Sequence, residues 1–581
     1  MSTDFTNKDK IHNESFFKKY PKASSIITLS LVAAFSLGSS VLVKSLAGSP
    51  KEEINITDDS NELNYYNKNY DDAIAGYKED SKKDEWPIDI VKEAEIYSVK
   101  GDYEKSNRLL MEAYENRNKL IDENGREKYA DRDAEFGNYI VVVALYNGEY
   151  KKALEYGEVF LMDNNADKTL ERSLFVVYLA NGDKYRDKAK ELVKNYEVDN
   201  NSSYDLALYA RMNMLIGEKD KTFTYLKDAW NLNKDELKVY DVISEMAEND
   251  FDSTVKSLKN LAEKNTDENC YNLWLTKCYS LNEKYNQKAL DTLDSMESKD
   301  LGESVIYGLK AKVYGNSGDK DAANEAIENL SNKEEKTYVD YYELSEYYID
   351  NKEYDKALEN AKNCIVANKS YPDGYGYLMT EIMVKQKQVE NAEPYFRTAL
   401  RIEPFNSRTI MMTADYYCNK TKNTDTGYKY YDIASVINPN NSKIYYNLAK
   451  IAETNRKNDD AIKYMKKAIS INDEEIKYHN YLGVLYYNAN KKEDAIKEIR
   501  AAYSLDKNDI VALNNAGCYY IATGDYDRGL ENIKGAYEKI QTDTDVELVS
   551  KLTTNYEKAK SYVKAVKSDS SPSKPELDLL S

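Results

Sequence analysis

One repeated spacing constrains this chain more than any other feature. A side chain that is usually small recurs at 14 positions near the start of a helical pattern, and eleven of the thirteen intervals are 33–35 residues long. The positions are Ala73, Ser106, Ala153, Ala189, Thr222, Val255, Ala289, Ala323, Ala357, Ala392, Gly427, Ala461, Ala495 and Gly529. Such a unit holds two helices of about 13 residues, and one helical hairpin cannot bury its apolar stripe alone. We therefore expect an all-α solenoid of stacked hairpins.

The predicted turns support this division of each unit into two helices. The motifs Gly101-Asp102-Tyr103 and Gly524-Asp525-Tyr526 separate two helical patterns. Glycine suits the left-handed residue that ends a helix, and the aspartate that follows can cap the next helix. The one interval of 47 residues, from Ser106 to Ala153, indicates an insertion. We expect it to form a longer second helix followed by a charged turn.

Two units near the C-terminus carry the repeat pattern most completely. Their residues are Leu448, Ala449, Ala461 and Ala468 in one unit and Leu482, Gly483, Tyr486, Ala495 and Ala502 in the next. With this pattern the chain resembles the tetratricopeptide repeat (TPR) family over roughly residues 60–541, about 14 units. The resemblance implies a right-handed superhelix that binds proteins, often as extended peptides or helices, in its concave groove. This motif specifies fold well and function poorly.

The N-terminal region contains a candidate membrane segment. The run Ala23–Val43 has 21 residues without a charge, enough to cross about 30 Å of hydrocarbon. Lys18, Lys19 and Lys22 directly precede it, and the positive-inside rule then places the N-terminus in the cytoplasm. We predict one uncleaved transmembrane anchor, with the remainder of the chain on the extracytoplasmic side of the cell membrane.

Two alternatives to this anchor remain open. Ser45-Leu46-Ala47 before Gly48 has the small-x-small pattern of a signal-peptide cleavage site. The run could also be a buried helix of a soluble protein.

The full predicted organisation has six parts. They are a cytoplasmic basic tail 1–22, a transmembrane signal-anchor helix 23–47, a linker 48–59, a TPR solenoid 60–541, a capping helix 542–567 and a disordered tail 568–581. The leucines at the end of that tail (Leu577, Leu579 and Leu580) could alternatively form a docking peptide.

Composition argues against several classes of function. The formal net charge of −20 disfavours nucleic-acid binding, which requires a basic face that displaces counterions from phosphates. The chain has only two histidines, His12 and His479, and lacks phosphate-loop and dinucleotide motifs. We expect no enzyme activity, no cofactor and no metal site, with His479 packed in its repeat. The five cysteines lack close spacing, and we expect most of them to be buried at helix contacts.

The tyrosines supply the candidate binding residues. Of 54 in the chain, Tyr342, Tyr377, Tyr446 and Tyr481 occupy first-helix positions that the resemblance directs toward the concave groove. Tyrosine suits protein and peptide contacts because it offers rigid area and a hydroxyl group. Asn447 and Asn515 occupy positions that suit peptide binding in the family, although their neighbours do not complete the basic set that grips a C-terminal carboxylate.

These features together predict a membrane-anchored TPR scaffold without enzyme activity. It would bind partner proteins or peptides in its groove on the extracytoplasmic side and organise a complex of the cell envelope. Two alternatives stay open: a cell-wall carbohydrate-binding protein that uses the tyrosines, and a TPR scaffold that faces the cytoplasm.

Overall fold

Helices are the regular secondary structure of this protein in the residues that its structure, a computed structural model, describes. These are residues 54–164, 167–296, 301–542, 544–568 and 571–580. They form 29 α-helices and contain no β-strand. The predicted all-α class is confirmed.

The predicted membrane segment falls outside this part of the chain. Both the basic tail 1–22 and the anchor 23–47 lie outside the described residues. Among the helices that are described, none combines the length and the apolar character needed to cross a membrane.

Twenty-eight of the described helices pair into 14 consecutive hairpins. The first seven hairpins are α1 (Ser60–Tyr66) with α2 (Tyr70–Asp80), α3 (Ile88–Val99) with α4 (Tyr103–Asn124), α5 (Ala130–Tyr146) with α6 (Tyr150–Asp163), α7 (Lys168–Ala180) with α8 (Asp183–Asn195), α9 (Ser203–Leu215) with α10 (Lys219–Leu232), α11 (Leu237–Asn249) with α12 (Phe251–Lys264), and α13 (Cys270–Ser280) with α14 (Asn286–Asp294). The insertion lengthens α4 to 22 residues and adds a 3₁₀ turn, Arg126–Tyr129.

The remaining hairpins continue the stack to the C-terminal cap. They are α15 (Ser304–Ser317) with α16 (Lys320–Ser331), α17 (Tyr338–Asp350) with α18 (Tyr354–Ala367), α19 (Thr380–Lys385) with α20 (Glu393–Ile402), α21 (Ser407–Asp415) with α22 (Thr424–Ile437), α23 (Ser442–Thr454) with α24 (Asn458–Ile471), α25 (Ile476–Asn488) with α26 (Lys492–Leu505), and α27 (Ile510–Thr523) with α28 (Tyr526–Glu538). A final long helix, α29 (Val546–Lys567), covers α28.

Two first helices contain a π-helical turn, and the repeat interval that spans each turn is one residue longer than 34. A π-helix over Gly374–Met379 leads into α19, and another over Tyr416–Lys420 extends α21. A π turn accommodates one extra residue in a helix. The two intervals that span these turns, Ala357 to Ala392 and Ala392 to Gly427, are both 35 residues rather than 34.

The early hairpins pack around a later part of the same chain. Arg397 of α20 pairs with Glu95 of α3 at 3.0 Å and donates to the Tyr430 hydroxyl of α22 at 3.0 Å. The rings of Phe175 in α7 and Phe405, just after α20, meet edge to face at 5.8 Å. Helices α20 and α22 therefore pack against first helices of the N-terminal hairpins.

A buried ionic cluster fixes this arrangement. Lys238 of α11 is completely buried, and its Nζ lies 2.9 Å from Glu403, 3.1 Å from Asp373 and 3.1 Å from Asp241. Burial opposes the ammonium charge, but the three carboxylates outweigh it and raise the pKa of Lys238 well above its ordinary value. Arg211 of α9 also pairs with Glu403. Residues more than 160 positions apart in sequence are thus joined by charge.

Candidate functional site

Two of the predicted groove tyrosines, Tyr342 and Tyr377, pack against other side chains of this protein. Tyr342 of α17 is 4% exposed, and its ring meets that of Tyr371 edge to face at 5.7 Å. Tyr377, in the π-helix before α19, stacks under the guanidinium of Arg408 at 3.7 Å from the ring centroid. Burial raises the pKa of both phenols well above the ordinary value. Their role as partner contacts stays a prediction.

A small polar cavity of about 210 Å³ adjoins these two rings. Its charged lining includes Lys277, Glu343, Glu346 and Arg408. Burial and the neighbouring Glu346 charge raise the pKa of Glu343 well above its ordinary value. Burial acts likewise on Glu346, but the cations Lys277 and Arg408 outweigh it and lower its pKa. The two carboxyl groups thus have opposite preferences for the proton.

The other two predicted tyrosines and Asn447 lie on the first helices of two later hairpins. Tyr446 of α23 is half-buried, and Tyr481 of α25 is buried with its hydroxyl donating to Glu453 at 2.6 Å. The rings of Tyr446 and Tyr481 meet edge to face at 5.6 Å. The Asn447 amide donates to the Tyr431 hydroxyl at 2.6 Å. Of the two predicted tyrosines on α23 and α25, Tyr446 is therefore the one that retains exposed surface.

Asn515 contacts an extended peptide segment, which is the C-terminal tail of this chain. The Asn515 amide N–H donates to the carbonyl of Leu580 at 2.7 Å, and its Oδ1 accepts the Leu580 backbone N–H at 2.7 Å. Asn515 is completely buried on α27. One side chain thus satisfies both backbone groups of one tail residue.

Two further asparagines repeat this contact two residues earlier in the tail. The Asn555 amide donates to the Asp578 carbonyl at 2.8 Å, and Asn555 Oδ1 accepts the Asp578 N–H at 2.9 Å. Asn514 donates to the same carbonyl at 3.0 Å and accepts from Asn555 at 2.9 Å. We name Asn514, Asn515 and Asn555 the asparagine clamp.

Apolar contacts complete the tail site. Leu580 is 6% exposed and packs in a cluster with Leu513 of α27 and Leu552 of α29. Leu577 and Leu579 pack against a second cluster that includes Ile533 of α28. The leucines therefore bury apolar surface while the clamp holds the backbone between them.

The conformation of residues 571–580 differs from the disordered tail predicted over 568–581. Backbone groups of an extended segment are satisfied here by side chains instead of a neighbouring strand or water. The sequence contains one signal that could have predicted this contact. In α29 the buried stripe Leu552, Asn555, Ala559, Val563 contains one asparagine, and a buried amide requires a partner.

Local sequence explains why the clamp residues meet the tail. Asp509 caps α27 by accepting the backbone N–H of Ala512, and Gly524 ends the helix in the left-handed conformation at φ +99°. Gly517 faces α28 so closely that a Cβ atom there would lie 2.4 Å from Ile533 Cγ1. With that side of α27 against α28, Asn514 and Asn515 lie beside α29 and the tail.

His479 is the histidine that bears on the predicted absence of a metal site. This histidine is 7% exposed, with Nδ1 2.8 Å from Glu498 and Nε2 2.9 Å from the Asp473 carbonyl. The Glu498 hydrogen bond raises its pKa. In the described ranges no group of three or more His, Cys, Asp or Glu side chains is arranged to hold a metal ion.

The five cysteines are free thiols in the core. Cys418 is half-buried and the other four are buried, as the sequence predicted for most of them. Burial raises the pKa of Cys270 and Cys278 to about 12 and that of Cys418 to about 11. The reactive thiolate form is therefore suppressed at neutral pH.

One hairpin matches a known family. Residues 442–475 match the tetratricopeptide repeat family. This stretch contains α23 and α24, and the neighbouring hairpins repeat its spacing and its buried small residues. No curated protein matches this chain in sequence.

Several solved structures are similar to this chain over most of their length. The APC/C hetero-tetramer Cut9–Hcn1 is 14% identical, with 85% of this chain and 95% of that chain covered and a TM-score of 0.38. Naa15/Naa10 bound to HypK-THB is 14% identical, covering 88% and 97%, at 0.38. Yeast Tom70 is 16% identical, covering 88% and 96%, at 0.32. At these scores the overall arrangements differ, and the similarities carry no argument about function.

Proposed function

We propose that this chain is a membrane-anchored, non-enzymatic TPR scaffold that binds partner proteins on the extracytoplasmic side of the cell membrane. The observation that carries the binding part is the asparagine clamp, which already holds the backbone of an extended segment. TPR solenoids offer such grooves to partner proteins, and a groove that grips a peptide backbone is suited to that task.

The anchor and its orientation rest on the sequence. The uncharged run Ala23–Val43 has the length of a membrane span, and three lysines precede it. The bias toward Lys, Asn, Tyr and Ile is typical of an AT-rich genome, such as that of a low-GC bacterium. We therefore propose that the solenoid organises other proteins of the envelope.

The absence of catalysis is part of the same proposal. Asp241 on α11 and Asp373, directly before the π-helix Gly374–Met379, have perturbed pKa values, and both pair with the buried Lys238. Perturbed pKa values arise in structural ion-pair networks as well as at active sites. Lys238 and Asp373 pair in the core although they are 135 positions apart in sequence, which supports a structural role.

A topology measurement tests the proposed function. Intact cells, or spheroplasts where an outer membrane exists, are treated with protease, and the solenoid is followed by immunoblot. We expect the solenoid to be digested while a cytoplasmic control protein survives. Survival of the solenoid until lysis would overturn the proposed orientation and favour a scaffold that faces the cytoplasm.

A paired substitution tests the anchor itself. Arginine at Leu31 and Phe35 places two charges in the run, and each costs about 2.5–3.5 kcal/mol at the centre of a membrane helix. We expect the double Arg variant to leave the membrane fraction. The matched control, Leu31→Ile with Phe35→Leu, keeps the run apolar and should stay membrane-bound. An Arg variant that remains in the membrane fraction would contradict the assignment of this anchor.

A further inference from the structure

The asparagine clamp recognises backbone, and this makes it independent of the chain that supplies the peptide. Asn515 and Asn555 each bond the N–H and the carbonyl of one residue, as a neighbouring β-strand would. In strand-like recognition, main-chain hydrogen bonds supply affinity and side-chain pockets supply specificity. The clamp chemistry would therefore accept any extended segment whose side chains fit beside it.

The side chains of the tail define which segment fits. Leu577, Leu579 and Leu580 pack on apolar clusters formed by α27, α28 and α29. Lys558 of α29 donates to the Glu576 carbonyl at 3.0 Å. Lys551 of α29 has a raised pKa, principally from Glu547 and in smaller part from Asp578. The site thus combines leucine pockets with lysines near the acidic positions of the bound segment.

We propose that the asparagine clamp is a binding site for an extended partner peptide that is acidic and carries leucines in the spacing of Leu577, Leu579 and Leu580. The chain's own tail occupies this site as an exchangeable internal competitor. This inference rests on the proposed scaffold function and names the class of partner segment that the scaffold binds.

The tether between cap and tail determines how strong this competition is. Eight residues, 568–575, separate the end of α29 from Glu576. A short tether gives an effective concentration on the order of 1 mM at the site. A segment with an intrinsic Kd of about 10–100 μM would then occupy the site about 90–99% of the time, which weakens a competing peptide about 10–100-fold.

Peptide binding to two full-length proteins tests the proposal. The first is the wild-type chain, and the second carries L577A, L579A and L580A to release the tail. The probe is a fluorescein-labelled peptide with the sequence of residues 571–580, followed by anisotropy. We expect the triple variant to bind it about 10–100-fold more tightly than wild type. Equal affinities, or no binding to the triple variant, would overturn the proposal.

Substitutions in the clamp test whether the asparagines hold the peptide. In the triple-variant background, Asn515→Ala removes two buried hydrogen bonds and should weaken binding at least about 10-fold. Asn555→Ala should act in the same direction, which guards against misfolding of a single variant. Asn213→Ala is the matched control, because Asn213 is also buried and its amide donates to the Tyr209 carbonyl of α9 instead of the tail. Unchanged binding in both clamp variants would refute the assignment.

Backbone methylation of the probe separates backbone recognition from leucine packing. N-methylation at Leu580 removes the N–H that Asn515 accepts, with the side chain unchanged. N-methylation at Leu579 is the control, since none of the three clamp asparagines bonds that N–H. We expect only the Leu580 methylation to weaken binding strongly. Equal effects of the two methylations would contradict a clamp that recognises backbone.

Cysteine alkylation supplies a second readout without a labelled peptide. The Cys518 thiol lies 3.7 Å from the Asp578 carbonyl, whereas Cys364 is buried away from the tail. We expect Cys518 to be alkylated faster in the triple variant and more slowly again after unlabelled peptide is added. Cys364 should not change. Identical Cys518 rates in wild type and the triple variant would mean that the tail does not cover the site.

A failure of the clamp proposal is distinguishable from a failure of the proposed scaffold function. Membrane association and protease accessibility of the solenoid do not depend on the three tail leucines. An extracytoplasmic solenoid that does not bind the peptide would refute the clamp proposal and leave the scaffold proposal intact. A protected solenoid that binds the peptide would do the reverse.

Discussion

Lys238→Met is the perturbation that most sharply tests how the early hairpins are held around α20–α22. The lysine is completely buried, with Glu403 at 2.9 Å and both Asp241 and Asp373 at 3.1 Å. Methionine preserves most of the volume but removes the positive charge. Three carboxyl groups then share a buried site with less compensation, and Asp373 loses the cation that holds its pKa low.

The magnitude follows from the burial of the cluster. Removal of one partner from a buried ion pair is destabilising by about 3–5 kcal/mol, because an uncompensated charge remains. By contrast, an exposed pair contributes about 0–1 kcal/mol. The pair Lys152–Glu155, at 2.8 Å with both side chains about half exposed, is such a control. We therefore expect Lys238→Met to cost about 3–5 kcal/mol and Lys152→Met to cost below about 1 kcal/mol.

Urea unfolding followed by far-UV circular dichroism measures both variants. A double variant adds Asp373→Asn to Lys238→Met, and it should recover part of the loss because the carboxylate that loses its cation is also removed. Hydrogen exchange should accelerate in α20–α22 of the single variant. A cost of Lys238→Met below about 1 kcal/mol, equal to that of Lys152→Met, would refute the view that this ionic cluster holds the early hairpins against α20–α22.

Three further predictions concern pH, packing and thiols. Burial raises the pKa of Glu393 to about 7, so its carboxyl contributes stability that is lost as pH rises from about 4 through 7. Glu393→Gln should therefore flatten that part of the stability profile and be the more stable form at pH 8, which urea titrations across pH would show. Gly517→Ala should destabilise the protein by about 1–3 kcal/mol, because its Cβ atom would lie 2.7 Å from the Gly529 carbonyl oxygen. Gly315→Ala has open space around the new Cβ atom and should stabilise the protein by up to about 1 kcal/mol. Thermal melts that rank the two variants otherwise would contradict this packing. In a thiol-reagent assay the folded chain should react slowly and Cys418 first, and rapid reaction of all five thiols before unfolding would refute their burial.

The periodic spacing predicted the hairpins because stacking depends on local features. Thirteen of the 14 recurring positions lie inside a second helix, and Ala392 lies directly before α20. The turns at Gly101 and Gly524 carry a glycine signal in the sequence. Within the described part of the chain, six other turns use a non-glycine residue at positive φ, such as Lys352 at φ 63° and Arg456 at φ 59°, and these carry no glycine signal.

The contacts of α20–α22 with the N-terminal hairpins could not be predicted from the repeats. Each hairpin specifies contacts with its neighbours, whereas the contact of Arg397 with Glu95 joins residues 302 positions apart. The buried charges in α20 were the available signal. Glu393 and Arg397 lie on a helix that has more buried residues than an ordinary solvated second helix. The sequence alone does not show which of its residues are buried.

The candidate site was predictable in part for a similar reason. The first-helix position of Asn515 indicated a binding role, and this residue contacts the tail directly. Asn555 lies on the capping helix beyond the repeats, where no positional rule applied. Tyr342 and Tyr377 lie beside Arg408, which comes from a hairpin one or two units further along the chain.

Hydrogen exchange of the C-terminal tail in the full-length chain would show whether the clamp holds an extended peptide. The bonds to Asn555 and Asn515 protect the amides of Asp578 and Leu580. We expect peptides covering 576–580 to exchange slowly in wild type, and quickly after Asn515→Ala or in the presence of excess peptide of the same sequence. Exchange of this segment at the rate of an unstructured chain in wild type would contradict a groove that holds an extended peptide.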